Sequence, residues 1–258
     1  VSTAGGLALQ GFLPVVNSFG VFLASRSNEQ IYNNATEKTK IIYVCHYAGL
    51  IPAGPGKSHQ SVRDISLFGA LPNMITIEPA NAIETKEALK WCVTEASQSC
   101  MMRLAISPSP RTIPLPTDYQ FIYGQGTVII DGRDAVLFAY GPVMLNETMV
   151  AAKTLQEHNF SLKVINLPWL NKIDQDWFKT SISDCEAVFV LDNHSQFGAL
   201  GDQVLNAAQK LDGARTQRFI KFGLTEYPAC GTPPEVLAYH KLDGKNLAAS
   251  ILETIRGN

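Results

Sequence analysis

Short β-rich runs alternate with stretches of helical spacing along the whole chain, and this alternation limits the possible fold more than any other feature. Pro14–Phe19, Ile41–His46, Met74–Glu78 and Cys100–Ile106 are short, apolar and bounded by turn residues. Between them, Phe22–Asn33, His59–Leu67 and Ile83–Ser97 carry helical periodicity, with Ala88, Cys92 and Ala96 along one face of the last. Strand–helix alternation predicts a mainly parallel sheet covered by helices on both faces. Ser107–Tyr119 interrupts the rhythm with Pro108, Pro110, Pro114 and Pro116, and reads as an extended, semi-rigid linker. The rhythm then restarts. Thr127–Asp131 and Ala135–Tyr140 flank Asp131-Gly132, a hairpin signal. Helical spacing follows at Leu145–Glu157, Asp174–Thr180, Ala199–Lys210 and Gly244–Ile255, with strands at Leu162–Leu167, Ala187–Asp192 and Arg218–Phe222. The expected architecture is α/β with two domains, 1–106 and 127–258, joined by a linker at 107–126.

Composition narrows the partners. A formal net charge of -2 gives no electrostatic reason to expect nucleic acid or an anionic membrane. No run is long and apolar enough to span a bilayer. Cys45, Cys92, Cys100, Cys185 and Cys230 form no CxxC, so no metal site and no disulfide framework is expected; a reducing, cytoplasmic setting fits. The opening stretch, VSTAGGLALQGFLPVV, lacks an initiator Met and a basic flank and reads as the middle of a domain whose N-terminal part is missing.

The candidate site centres on Tyr43–Gln60, where a strand ends at Cys45-His46-Tyr47 and opens into a Gly/Pro-rich loop closing on Ser58-His59-Gln60. In a parallel sheet the strand C-terminal ends share one rim, where ligand crevices form. Phe19 and Phe22 follow the first strand, His46 and Tyr47 the second, and Glu78-Pro79 the third. By spacing alone, Phe19 and Phe22 read first as plain core packing. His59, read as the start of a helix, is a candidate to bond a substrate oxygen or shuttle a proton, or else a capping residue bonded to its own loop. Gly56-Lys57-Ser58 resembles a P-loop tail, but the glycine that motif requires is Ile51; Lys57 is a solvated loop lysine or a point charge for an anion. Cys45 and His46 are adjacent in a strand and point to opposite faces, which disfavours a thiol nucleophile. Asp192-Asn193-His194-Ser195 is either a polar site or, the favoured reading, a packing element or subunit contact beside Gly198 and Gly201. The chain has no GxGxxG, HExxH or GxSxG, against a nicotinamide dehydrogenase, a zinc protease or an α/β-hydrolase.

The runs AGGLALQGFLPVVNSFGVFLASRSNEQI and YAGLIPAGPGKSHQSVRDISLFGALPNMITIEPANAIET, with AYGPVMLNETMVAAKTL and DNHSQFGALGDQV beyond the linker, resemble the C-terminal part of transketolases, especially the smaller subunit of two-subunit forms. The chain is more distantly similar to 1-deoxy-xylulose-5-phosphate synthase and to the β subunit of the pyruvate dehydrogenase decarboxylase component. The resemblance implies a thiamine-diphosphate enzyme, with a pyrimidine-binding domain followed by the transketolase C-terminal domain. It places Phe19 and Phe22 against the aminopyrimidine ring as cofactor-binding residues. It matches His59 to the family's substrate-contacting histidine and puts Tyr47 where the family has another, with His46 one residue earlier; the catalytic candidates are therefore His59 and His46, and the substrate-binding ones Tyr47, His59 and, by its charge, Lys57.

It also implies that Mg²⁺ and the diphosphate are held mainly by an N-terminal-type transketolase subunit. This chain would dimerise within a heterotetramer and act on a small-molecule substrate. The family's catalytic glutamate would fall about four residues before Val1 by motif alignment. Two departures stand out. The acidic residue of the family's G-E-D-G loop is lost in Gly54-Pro55-Gly56, and the arginine that clamps a sugar phosphate is Ile106, with Arg103 and Arg111 nearby but out of place. Losing both contacts implies a non-standard substrate. The expected reaction moves a two-carbon or acyl unit from a ketone or 2-oxo donor to an aldehyde-type acceptor. The alternatives are a 2-oxo-acid decarboxylating acyl-transfer subunit and a non-catalytic partner.

Overall fold

The apolar runs of the N-terminal half become parallel strands: β1 (Val15–Phe19), β2 (Ile42–His46), β3 (Met74–Ile77) and β4 (Ser99–Leu104), in the sheet order β1-β2-β4-β3. A computed structural model describes residues 1–106, 109–211 and 217–257. Registers align Phe19 with His46, and His46 with Leu104, so the C-terminal ends form one rim. Helices α1 (Ser2–Leu9), α2 (Gly20–Arg26), α3 (Asn28–Thr36), α4 (Asp64–Gly69) and α5 (Ala82–Thr94) accompany this sheet. β3 and β4 are almost wholly buried, which fits their mostly apolar composition, with Thr76, Ser99 and Arg103 as buried polar exceptions.

Two expected helices differ. Phe22–Asn33 is split between α2 and α3 at Ser27, whose φ of -105° and ψ of 10° leave the helical range. The helix expected from His59 starts only at Asp64. Ser61 exchanges both backbone hydrogen bonds with Gly49, at 3.0 Å each, and this holds the chain extended ahead of the helix. His59 lies instead in a turn, its N–H donating to the Gly56 carbonyl at 3.0 Å.

The second sheet has β5 (Thr127–Ile130), β6 (Ala135–Ala139), β7 (Leu162–Asn166), β8 (Ala187–Ser195) and β9 (Arg218–Leu224), in the order β5-β7-β6-β8-β9. Its helices are α6 (Gly141–Gln156), α7 (Gln175–Ile182), α8 (Leu200–Gln209), α9 (Pro233–Tyr239) and α10 (Gly244–Arg256). The Asp131-Gly132 hairpin does not form: β5 pairs antiparallel with β7, and both sides of β6 are taken by parallel partners. The fully buried run AVLFA of β6 gains more at the sheet centre than beside an edge strand. Gly132 serves the crossing over β7, because a Cβ there would lie 2.4 Å from the Leu162 carbonyl carbon. Gly132→Ala is therefore expected to lower stability by about 1–3 kcal/mol, read as a lower urea midpoint. The sequence reading also missed α9, whose Thr232 and Glu235 form a reciprocal capping box.

The two sheets share a core. Ile42, Ile75, Ile77 and Met102 pack in one apolar cluster with Phe138, Tyr140 and Trp169. The segment after β7 covers the β3 edge: Leu170 N–H donates to Thr76 O (2.8 Å), Glu78 N–H to Pro168 O (3.0 Å), and Asn171 bonds both Thr76 N–H and Met74 O. The proline-dense segment is packed rather than free where described, with Tyr119 donating to Glu84 and Ile113 O accepting from Asn81. Ser107 and Pro108, the start of the expected linker, lie outside the described residues.

Candidate functional site

Four aromatic rings converge at the rim of the first sheet. Phe19 ends β1, Phe22 lies in the first turn of α2, Tyr47 follows β2, and His59 comes from the Gly/Pro-rich loop. Centroid separations are 5.7 Å for Phe19–Phe22, 5.4 Å for Phe19–Tyr47, 5.3 Å for Phe22–His59 and 6.2 Å for Tyr47–His59. The Arg26 guanidinium lies 4.1 Å from the Phe22 centroid, a cation–π contact the sequence reading did not anticipate.

Tyr47 is only 5% exposed, and its buried hydroxyl has no hydrogen-bond partner. Its backbone has φ 58°, a left-handed conformation that costs a non-glycine residue about 1–2 kcal/mol. An orphaned hydroxyl on a strained rim residue suits a polar group brought by a ligand. His59 is half-buried, and its Nδ1 lies 3.0 Å from Ser58 Oγ, which leaves Nε2 as its outward nitrogen. The structure brings Phe19, Phe22, Tyr47 and His59 together and leaves His46 and Lys57 apart. His46 is half-buried at the rim, paired through its backbone with β1 and β4, and its side chain makes no hydrogen bond, ion pair or ring contact among the described residues. Lys57 is exposed, with Nζ 5.9 Å from the Tyr227 centroid in the other half of the chain.

Behind the rings lies a buried charge cluster joining the two sheets. Arg103 donates to Asp64 through Nε (2.9 Å) and Nη2 (3.2 Å), to Glu78 through Nη1, and to the Ser61 and Asn193 carbonyls at 3.1 and 3.3 Å. Arg103, Asp64 and Glu78 are all fully buried. Burial pushes Glu78 up to about 7 despite Arg103 beside it, and pushes Asp192 up to about 6 despite bonds from Gly201, Tyr140 and Leu200. Burial also lowers His194 to about 4, against the pull of Asp64. Gly20 opens α2 against this cluster, since a Cβ there would sit 2.9 Å from Ser61 Oγ and 3.3 Å from Asp64 Oδ2.

Asp192–Ser195 takes the packing role. It lies within β8, where Asp192 accepts from Leu200 and Gly201 N–H at the start of α8, and Asn193 Oδ1 accepts from Leu50 N–H at 2.8 Å. Cys45 is fully buried, and burial, then Asp64, drives its thiol well above the ordinary range, which disfavours a thiolate. Gly54 and Pro55 are exposed, and Ile106 is half exposed at 49%. Arg103 is committed to the cluster, while Arg111 bonds Asn146 Oδ1 at 2.9 Å.

Comparison with known proteins matches residues 1–106 to the transketolase pyrimidine binding domain and residues 124–247 to the transketolase C-terminal domain. The chain belongs to the transketolase family. It is 26% identical to a Methanocaldococcus jannaschii protein assigned as a transketolase C-terminal section, covering 99% of this chain and 79% of that one. It is 27% identical to the 1-deoxy-D-xylulose-5-phosphate synthase of Syntrophotalea carbinolica, covering 97% of this chain but only 39% of that enzyme. A split-gene transketolase, solved as an inactive beta4 tetramer, superposes with a TM-score of 0.84 at 27% identity, over 97% of this chain and 79% of its own. The transketolase of Campylobacter jejuni shares the fold at a TM-score of 0.75 and 18% identity, over 96% of this chain and 37% of its own. Transketolase-family membership implies the use of thiamine diphosphate. The ring cluster fits one part of that cofactor, because flat aromatic faces suit a heteroaromatic ring. Among the described residues no group of three or more His, Cys, Asp or Glu is placed to hold a metal ion, and no helix is long and apolar enough to cross a membrane.

Proposed function

We propose that this chain is one subunit of a thiamine-diphosphate-dependent, transketolase-like transferase, active with an N-terminal-type partner subunit. Its first domain spans 1–106, its linker 107–126 and its second domain 127–258. The single observation that carries this reading is the convergence of Phe19, Phe22, Tyr47 and His59 at the rim of the first sheet. Phe19 and Phe22 lie against the pyrimidine ring, and Tyr47 Oη donates to a substrate oxygen. His59, with Nδ1 occupied by Ser58, gives or takes a proton at Nε2. His46 stands on the same rim as a second proton-carrying group, and Lys57 offers a positive charge at the loop edge. When bound, the cofactor supplies the carbanion-stabilising chemistry of carbon–carbon transfer. Mg²⁺ and the diphosphate are held by the partner, in an assembly built on a dimer of this chain. Free thiols at all five cysteines suit a cytoplasmic setting.

The reaction moves a two-carbon or acyl unit from a ketone or 2-oxo donor to an aldehyde-type acceptor. The uncharged Ile106, Gly54 and Pro55, all exposed, favour an unphosphorylated substrate, and with it a second reading as a 2-oxo-acid decarboxylating acyl-transfer subunit. Calorimetry tests the first claim. Thiamine diphosphate is expected to bind when the N-terminal-type subunit and Mg²⁺ are both present, and binding of equal strength by the isolated chain would contradict the shared site. Turnover of pyruvate without a ketose donor would select the second reading.

A further inference from the structure

The C-terminal ends of β3 and β4, on the side of the first-sheet rim away from the rings, border a pocket of about 470 Å³. Its walls are mostly apolar and include Pro79, Ala80, Ile83, Leu104, Ile113 and Pro142. Strand register carries the rim from the rings to this pocket. Phe19, His46 and Leu104 are direct partners across β1, β2 and β4, so their side chains stand in a row on one face of the sheet. Leu104 lines the pocket, whereas His46 and the four rings do not. The pocket is therefore a neighbour of the ring cluster and not a part of it.

One charged group of fixed orientation faces these apolar walls. Arg111 lines the same pocket, and its Nη1 donates to Asn146 Oδ1 at 2.9 Å. Asn146 is only 4% exposed and is held in turn by Glu147, to which its Nδ2 donates at 2.6 Å. The guanidinium is thus anchored, yet among the described residues it meets no carboxylate. The carboxyl groups of the adjoining helices are committed elsewhere. Glu147 also accepts Gly244 N–H at 2.8 Å, and Glu84 accepts from Ala80 N–H, Tyr119 and Asn166. Anchoring through Nη1 leaves Nε and Nη2 to donate side by side, the arrangement that a carboxylate accepts with both oxygens. Helices α5 and α6 both begin at this pocket, and the positive ends of their dipoles add to the charge of Arg111. We propose that the pocket binds a short aliphatic carboxylate, its two oxygens on Arg111 and its chain against Ile83 and Leu104. An apolar lining with a few placed polar groups is what a small-ligand site presents. A bare inorganic anion would leave the apolar walls unfilled, and an uncharged chain would leave the guanidinium without an acceptor. The site lies wholly within this chain, so its test is independent of the thiamine-diphosphate reading.

The probe is hexanoate, titrated by calorimetry into the full chain, with hexanol and inorganic phosphate as controls. Hexanoate is expected to bind about tenfold more tightly than hexanol, and phosphate at equal concentration is expected not to displace it. Arg111→Met is expected to erase that preference for the carboxylate, and Arg111→Lys to keep part of it. Ile83→Asp acts from the opposite wall, on a side chain 61% exposed, so the fold survives the change. Its carboxylate is expected to weaken hexanoate about tenfold and hexanol far less. Circular dichroism checks the fold of each variant. Absence of hexanoate binding, or equal affinity for hexanoate and hexanol in the unaltered chain, overturns the proposal. So does a hexanoate affinity that Arg111→Met and Ile83→Asp both leave unchanged. Displacement of hexanoate by phosphate would make this a site for small inorganic anions and overturn the ligand class.

Discussion

Arg103→Met is expected to destabilise the folded chain by about 3–5 kcal/mol, read as a fall in denaturation midpoint. Arg103 is fully buried and uses Nε, Nη1 and Nη2 to bond Asp64, Glu78, Ser61 and Asn193. Methionine fills similar volume but leaves two buried carboxyl groups without a counter-charge. The loss should depend on pH. Glu78 sits at about 7 in the fold against an ordinary 4.5, so the folded chain holds the extra proton between these values. The stability this gives is complete below pH 4.5 and disappears as pH rises through about 7. His194 works in the opposite sense: lowered to about 4 from 6.5, it contributes stability above pH 6.5 that fades as pH falls through about 4. Removing Arg103 takes away the charge that restrains Glu78, so the variant should be hurt more at pH 8 than at pH 5. Adding Glu78→Gln to Arg103→Met should recover part of the loss at pH 8. Equal destabilisation at both pH values, with no rescue, would show that Arg103 acts by packing alone.

Phe19→Ala combined with Phe22→Ala is expected to weaken thiamine diphosphate binding by the assembled enzyme about 10- to 100-fold. Each ring offers an aromatic contact worth about 0.5–1.5 kcal/mol beyond the area it buries. Both rings are only half-buried, so their loss opens the rim without emptying the core. Calorimetry gives the affinity, and circular dichroism confirms that the fold survives. Unchanged affinity in a folded double variant would return both residues to plain packing.

Local chemistry made much of this molecule legible. The apolar runs at Ile42–His46 and Ser99–Leu104 are central parallel strands because both their faces are covered, and such strands carry their burial in their own composition. Phe19, Phe22, Tyr47 and His59 could be singled out because strand ends and glycine-rich loops fix where a rim lies. Local signals also misled. Asp131-Gly132 has hairpin chemistry, yet the neighbours of β6 were decided by competition for the sheet centre. His59 comes just after a glycine-rich turn, as a helix start would, yet the pairing of Ser61 with Gly49 delays the helix to Asp64. The packing role of Asp192 and Asn193 was readable as a preference, but not their position on the Arg103 cluster.

Periodicity and turn chemistry act over a few residues at a time, so the α/β class and the two sheets could be read from the chain alone; the family, and the assignment of Phe19 and Phe22 to a cofactor, came from motif resemblance. It took the packed chain to make Arg103 a buried tie between the halves rather than a phosphate clamp, to lay Trp169 and Leu170 over the β3 edge, and to bring Cys230 onto the Gly54 loop. Those contacts join residues far apart along the chain. Each exists because the two halves share buried apolar clusters, and no local pattern encodes which polar groups that shared burial forces together.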